Sequence, residues 1–406
     1  MSSTPSATIA NDRQIPELAL KVCFALAVLH VVYFPVAYLA GGYIFTSEGL
    51  GHPSDFVTVW SAGRMVMDGH AALVYDWTLH KQVQVATLGQ GYPGNLGWHY
   101  PPPYLFIATG LAYLPYAFSY PFYAVASFIP YAGVMRGIVG RPVGWLLALS
   151  FPVVFANAMV SQNGFVTAAL IGGTLLFLPT RPILAGVFLG LLTYKPQYGI
   201  LFPIILIATQ QWRTFFSASV VALLLAVLSW VAFGTDSWIG FFHGLSQTEQ
   251  AFLSEGRAGW DKLQSLFATI RFIGGSERLA WACQFVLMAA VVVTVVVLWR
   301  SRVRYAIKAA GLATGVVLAT PYLFLYDMMV LAVAVAFLVR DGLRTGFKPY
   351  EWALLALAFF LLCIFVLVGG PTGFGAAVII AAITLARSGL LRRDAPPLNV
   401  APSLPA

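Results

Sequence analysis

The feature that most constrains this chain is a near-unbroken succession of apolar runs. The first, Ala19–Ala40, is about as long as the roughly 20 residues that carry a helix across a bilayer. Others lie near 118–139, 142–159, 162–179, 182–195, 198–210, 214–233, 279–299, 304–320, 323–340, 349–368 and 371–388. Between them the chain is short of charge. Only 9% of its 406 residues are Asp, Glu, Lys or Arg, and 59% are hydrophobic. A soluble domain carries about a quarter charged residues, because its surface must be wetted. An ordinary soluble enzyme, a disordered chain and a small disulfide scaffold are therefore excluded. Cys23, Cys283 and Cys363 are far apart in apolar runs and read as small apolar filler. The net charge of +8 comes from short basic clusters between apolar runs, the pattern of membrane topology and not of nucleic-acid binding. The expected fold is an all-α polytopic membrane protein.

Two long polar stretches interrupt the runs, 41–101 and 234–278. The topology turns on Pro102–Pro115, which is apolar but, at about fourteen residues, short for a crossing. If it stays on one side, the basic clusters from Arg136 to Arg393 join Arg13 and Lys21 on a single face, which the positive-inside tendency makes the cytoplasmic one. This gives about twelve crossings with both termini cytoplasmic. Both polar loops and most of the acids then face outward. Residues 1–18 lack the features of a secretory signal and are expected to form a cytoplasmic segment. Residues 19–390 form one integral membrane domain, and the proline-rich tail 391–406 is expected to be disordered and cytoplasmic. The expected location is the inner cell membrane, multi-pass.

The candidate chemical residues lie at the outer ends of these runs. Asp55, in Pro53-Ser54-Asp55-Phe56, stands where a base would act on a lipid-linked substrate, although a helix N-cap explains it equally well. The amphipathic stretch that follows, with Ala62, Met65 and Leu73, suits the membrane surface. His99 and Tyr100 precede Pro101-Pro102-Pro103, which fix the chain direction at the mouth of the bundle. Gln162 and Asn163 suit sugar hydroxyls, though a turn alone accounts for Asn-Gly. Lys195 is the sole charge between Pro182 and Gln211. A buried charge is costly, so it points to a cavity or partner such as a phosphate, or else to a snorkelling lysine. Asp327 opens another apolar run and reads as either a functional acid or a cap. The patch Glu255, Arg257, Trp260, Asp261 and Lys262 suits acceptor contact. No Gly-rich phosphate loop, zinc-type spacing or Gly-x-Ser-x-Gly elbow is present.

Taken in order, these stretches resemble glycosyltransferase family 87. The motifs are Asp55-Phe56 with Ser61-Ala62-Gly63, Val74-Tyr75-Asp76, Tyr100-Pro101-Pro102, Ser161-Gln162-Asn163-Gly164 with Lys195-Pro196, and Thr320-Pro321 near Tyr326-Asp327. Relatives commonly carry a histidine-bearing motif where Tyr326-Asp327 stands. The resemblance implies a GT-C-type bundle with a helical first outer loop. It also implies transfer of a sugar, mannose or another hexose, from a polyprenyl-phosphate donor to a lipid or glycan acceptor. Asp55 would be the catalytic base of an inverting displacement. Lys195, Arg64 and His99 would contact the donor phosphate, and Tyr100, Gln162, Asn163, Tyr326, Asp327 and Asp76 the substrates. No cofactor is expected; a divalent cation would require Asp55, Asp76 and Asp327 to converge. No nucleic-acid partner is expected. The rival readings are a lipid or glycolipid transporter or flippase, marked by a vertical pathway, and a non-catalytic assembly subunit.

Overall fold

The computed structural model describes residues 14–140 and 142–390. Arg13, Arg141, Arg392 and Arg393, most of the expected N-terminal segment and the tail 391–406 lie outside the described residues. Among the described residues seventeen α-helices follow one another. They are α1 Glu17–Leu39, α2 Asp55–Met67, α3 Trp77–Leu88, α4 Leu105–Ala112, α5 Tyr116–Val139, α6 Val143–Ser150, α7 Val153–Met159, α8 Gly164–Phe177 and α9 Pro182–Leu191. Then come α10 Leu201–Ala208, α11 Trp212–Glu249, α12 Leu266–Phe272, α13 Glu277–Arg300, α14 Tyr305–Ala319, α15 Met329–Thr345, α16 Pro349–Val368 and α17 Thr372–Ser388. Among the described residues there are isolated β-bridges but no strand.

Among the described residues five helices are long and apolar enough to cross a membrane: α1, α5, α11 with its extension to Ser254, α13 and α16. On α1 and α16 large apolar side chains point outward, with Leu39 and Leu367 each 84% exposed. Water would penalise such surfaces; lipid does not. By contrast, α15 is buried on every side from Met329 to Val339, as befits a helix that is apolar all round and sits at the centre. It packs against α14, α8 and α5. Gly172 of α8 meets Val134 and Val333, where a side chain would hold the helices apart.

The elements have two clearly different ends. At one end, Trp299 Nε1 donates to the Lys308 carbonyl and Tyr305 Oη to that of Leu175. There too, Arg304 and Arg387 both pair with Asp341 (2.6 and 2.8 Å), and Arg387 also pairs with Glu351 (2.5 Å). This ionic cluster ties α14, α15, α16 and α17 together. At the other end lie both long polar stretches and every segment that carries the candidate site.

One expectation stands and three change. Pro102–Pro115 is a short 3-10 turn followed by the eight-residue α4, about 12 Å long and unable to cross a bilayer. The apolar face of α2 (Phe56, Val57, Val59, Ala62, Met65) is buried in protein and packs on α3 and α4, so it does not lie on the membrane surface. The polar stretch 234–278 does not begin as a loop, because α11 runs on to Glu249. At Gly234 (φ 79°, ψ 169°) the backbone is not helical, so α11 consists of two helices joined at a kink, the second running on to Glu249. The run 142–159 is divided into α6 and α7 at Phe151-Pro152, because proline disfavours helix at the residue before it.

Candidate active site

Asp55 is the first residue of α2. Ser54 occupies the N-cap without making a side-chain cap bond. The Asp55 carboxylate turns inward, where its Oδ2 accepts from Nε2 of Gln162 at 3.2 Å. Gln162 is aimed by a strained turn. Ser161 has φ 46°, a conformation that non-glycine residues rarely adopt. Its Oγ donates to the Tyr120 carbonyl at 2.9 Å, and Gly164 N donates to Oδ1 of Asn157 at 2.8 Å. These bonds hold the turn in place. The Gln162 Oε1 accepts from Tyr100 Oη (3.2 Å) and from the Asn163 N–H (2.9 Å). With Oε1 doubly occupied by donors, Nε2 must be the atom that faces Asp55.

Lys195 lies between two 3-10 turns, Leu192–Tyr194 and Pro196–Gly199. Pro196 excludes helix at Lys195, which adopts φ −133°, and the ammonium projects into the bundle. Its Nζ donates to Asp327 Oδ1 at 2.6 Å, and both side chains are almost wholly buried. The rings of Tyr326, Tyr198 and Tyr100 lie 5.3, 5.5 and 5.9 Å from the ammonium, an aromatic cage suited to a cation. Asp327 Oδ2 accepts from the Phe324 N–H at 2.9 Å, so this acid closes its own 3-10 turn and neutralises Lys195. Burial pushes the Asp55 carboxyl upward in pKa. The Gln162 hydrogen bond and the charges of Lys195 and Lys262 oppose that shift, while Asp327 adds to it.

The structure therefore brings together Asp55, Gln162, Tyr100, Lys195, Tyr326 and Asp327. Asn163 borders this group. Its carbonyl accepts from Thr167 Oγ1, and its side-chain amide is buried with neither polar atom hydrogen-bonded. Three expected residues stand apart. Asp76 is an exposed N-cap of α3, accepting from the N–H groups of Thr78 and Leu79. Arg64 follows Asp55 on α2 by roughly half a turn of rotation and about 13 Å of rise; it lies near Asp68 (3.8 Å) and over Trp60. The His99 Nδ1 meets Thr248 Oγ1 at 2.9 Å, and its ring stands edge-on to Trp77 and Phe252. Burial, with His80 adding to it, holds His99 down at about 3, so its ring is neutral at physiological pH. Among the described residues no three His, Cys, Asp or Glu side chains are grouped to hold a metal.

Sequence reasoning placed Lys262 in a loop patch and missed that its charge acts on the Asp55 carboxyl. It also missed the stacked rings of Tyr104 and Tyr194, which extend the aromatic wall from Tyr100. The dense Tyr content at this end of the bundle was the available signal.

The fold and site define a helical membrane protein with an inward-facing carboxylate beside a caged cation. The model of glycosyltransferase family 87 matches residues 98–321, more than half of the chain. The chain belongs to that family and is a glycosyltransferase. The matched span includes Tyr100, Gln162, Asn163, Lys195 and Lys262 and leaves Asp55, Tyr326 and Asp327 outside it. No curated protein and no solved structure matches the chain.

Proposed function

We propose that this glycosyltransferase moves a hexose, mannose being the first candidate, from a polyprenyl-phosphate donor to a lipid or glycan acceptor. The observation that carries the reading is the Asp55 carboxylate, oriented by Gln162 and under the influence of the Lys195–Asp327 pair at one end of a membrane bundle. The acceptor hydroxyl attacks the anomeric carbon, and its proton passes to Asp55. The bond from the anomeric carbon to the phosphate oxygen breaks, and its electron pair leaves with the polyprenyl phosphate. A single displacement inverts the anomeric centre. Tyr100, Asn163 and Tyr326 line the sugar's side, with the unpartnered amide of Asn163 free to meet a hydroxyl.

A lipid-linked donor is favoured by an apolar groove of about 270 Å³ beside Lys195. It is lined by Leu192, Thr193, Pro196, Gly199 and Ile200, with Phe215 and Ala218 of α11 opposite. The groove is not the catalytic pocket, since Asp55 and Asp327 do not line it. It offers an isoprenoid chain a path along the far side of the segment that carries Lys195.

The whole is a GT-C-type bundle in this reading. The short α4 makes no crossing; α6 with α7 makes one, α9 and α10, each lengthened by a 3-10 turn beside Lys195, make one each, and so do α1, α5, α8, α11, α13, α14, α15, α16 and α17. About twelve crossings result, with both termini cytoplasmic and the site facing the outside. The basic residues around the Arg304–Asp341–Arg387 cluster then take the cytoplasmic side. Incubation of purified protein with radiolabelled polyprenyl-phosphate sugars and membrane lipids tests the proposal. It requires a labelled glycolipid or glycan product that forms without any nucleotide sugar. Turnover of a nucleotide sugar alone would overturn it.

A further inference from the structure

The departing polyprenyl phosphate gains a negative charge as its bond to the sugar breaks, so the site needs a cation whose charge is not already balanced. Lys195 does not meet that need alone. Asp327 lies 2.6 Å from its Nζ in a buried pair, and a second anion placed beside Lys195 would also meet Asp327.

The second long polar stretch supplies another cation. The segment Lys262–Gln264 is stitched to the turn that carries Asp327. Leu263 and Phe324 form an antiparallel bridge, and Gln264 N donates to the Leu323 carbonyl at 2.9 Å. The buried Gln264 side chain also accepts from Gly373 N at 2.7 Å and donates to the Gly370 carbonyl at 3.2 Å. Three elements thus fix the backbone beside Lys262. Its side chain is exposed and forms neither an ion pair nor a hydrogen bond through Nζ among the described residues. The backbone is thus anchored to the turn that carries Asp327, and the exposed ammonium beside it carries a charge that no ion pair balances among the described residues. Its charge also reaches the Asp55 carboxyl, on which it acts in the same direction as Lys195.

We infer that Lys262 is a phosphate-contacting residue of the donor site, supplying the unbalanced positive charge that receives the leaving phosphate while Lys195, held by Asp327, orders the floor beneath it. The inference rests on the polyprenyl-phosphate donor proposed above. Lys262 is exposed and can meet a phosphate head directly, whereas Lys195 is buried within the tyrosine cage.

The test uses the full-length protein in lipid nanodiscs, comparing wild type, Lys262→Ala, Lys262→Arg and Asp55→Asn. Donor KM, acceptor KM, kcat and inhibition by polyprenyl phosphate are measured at low and high salt. Lys262→Ala is expected to lower kcat/KM for the donor roughly tenfold or more and to weaken polyprenyl-phosphate inhibition similarly. Acceptor KM and the thermal unfolding midpoint should stay as in wild type, because the side chain is exposed. Lys262→Arg should recover most of the loss. Donor kinetics and product inhibition within twofold of wild type in Lys262→Ala, with Asp55→Asn inactive, would overturn the assignment of Lys262 and leave the donor reading standing. A wild-type protein that uses only nucleotide sugars and ignores polyprenyl phosphate would overturn the donor reading, and this inference with it.

Discussion

Asp55 must be ionised before it can take a proton from a hydroxyl, and its neighbours set the pH at which that happens. Burial raises its pKa, so the acid limb of kcat/KM is expected above the ordinary aspartate value of about 3.9. Gln162 opposes the shift by donating to the ionised oxygen. Removing that donor in Gln162→Leu should raise the pKa further, leave more Asp55 protonated at any given pH, and move the acid limb to higher pH. A pH–rate profile checks this, and an unmoved limb would show that Gln162 does not tune the base. At this scale much of the site was legible. Asp55, Tyr100, Gln162, Lys195 and Asp327 each stood beside a proline or turn signal that opens a helix at the same end of the bundle. Arg64, His99 and Asp76 had equally suggestive sequence positions. Helix rotation, an aromatic contact and a capping bond, none of them visible in sequence, direct them elsewhere. Lys262 was recognised only as part of a loop, because its neighbour Leu263 pairs with Phe324, some sixty residues distant.

The elements owe their arrangement to breaks as much as to helices. Lys195 reaches Asp327 because α9 stops at Leu191 and Pro196 prevents its continuation. Removing one member of a buried pair strands the other, at a cost of about 3–5 kcal/mol. Lys195→Met should therefore lower the unfolding midpoint clearly, and Lys195→Met with Asp327→Leu should recover part of that loss. A thermal unfolding series in nanodiscs decides it; equal midpoints for wild type and Lys195→Met would contradict the buried pairing. Gly164 starts α8 where an added Cβ would strike the Tyr326 carbonyl oxygen and Asn157 Oδ1. Gly164→Ala is expected to displace the turn carrying Asp327 and to reduce kcat more than it reduces folded yield, as measured by transfer assay and size-exclusion profile. The apolar runs were readable because hydropathy alone marks them. The second helix of α11, beyond the kink at Gly234, was not, since a polar helix that packs on other segments at the site's end lacks the hydropathy of a span.

For the molecule as a whole, the two ends carry different chemistry. One holds the carboxylate and the tyrosine cage; the other holds the Arg304, Asp341, Glu351 and Arg387 cluster, which composition did not reveal because its members are spread over about eighty residues. The proposed orientation places the first end outside. After Cys23, Cys283 and Cys363 are replaced by Ala, Lys262→Cys should react with a membrane-impermeant maleimide on spheroplasts, and Arg344→Cys only after lysis. The reverse pattern would put the site in the cytoplasm. The central claim, that Asp55 is the base for sugar transfer, is tested most directly by assaying purified Asp55→Asn beside wild type with a radiolabelled polyprenyl-phosphate sugar. Transfer is expected to fall by roughly 10²-fold or more with the unfolding midpoint preserved. Wild-type transfer by a correctly folded Asp55→Asn protein would contradict it.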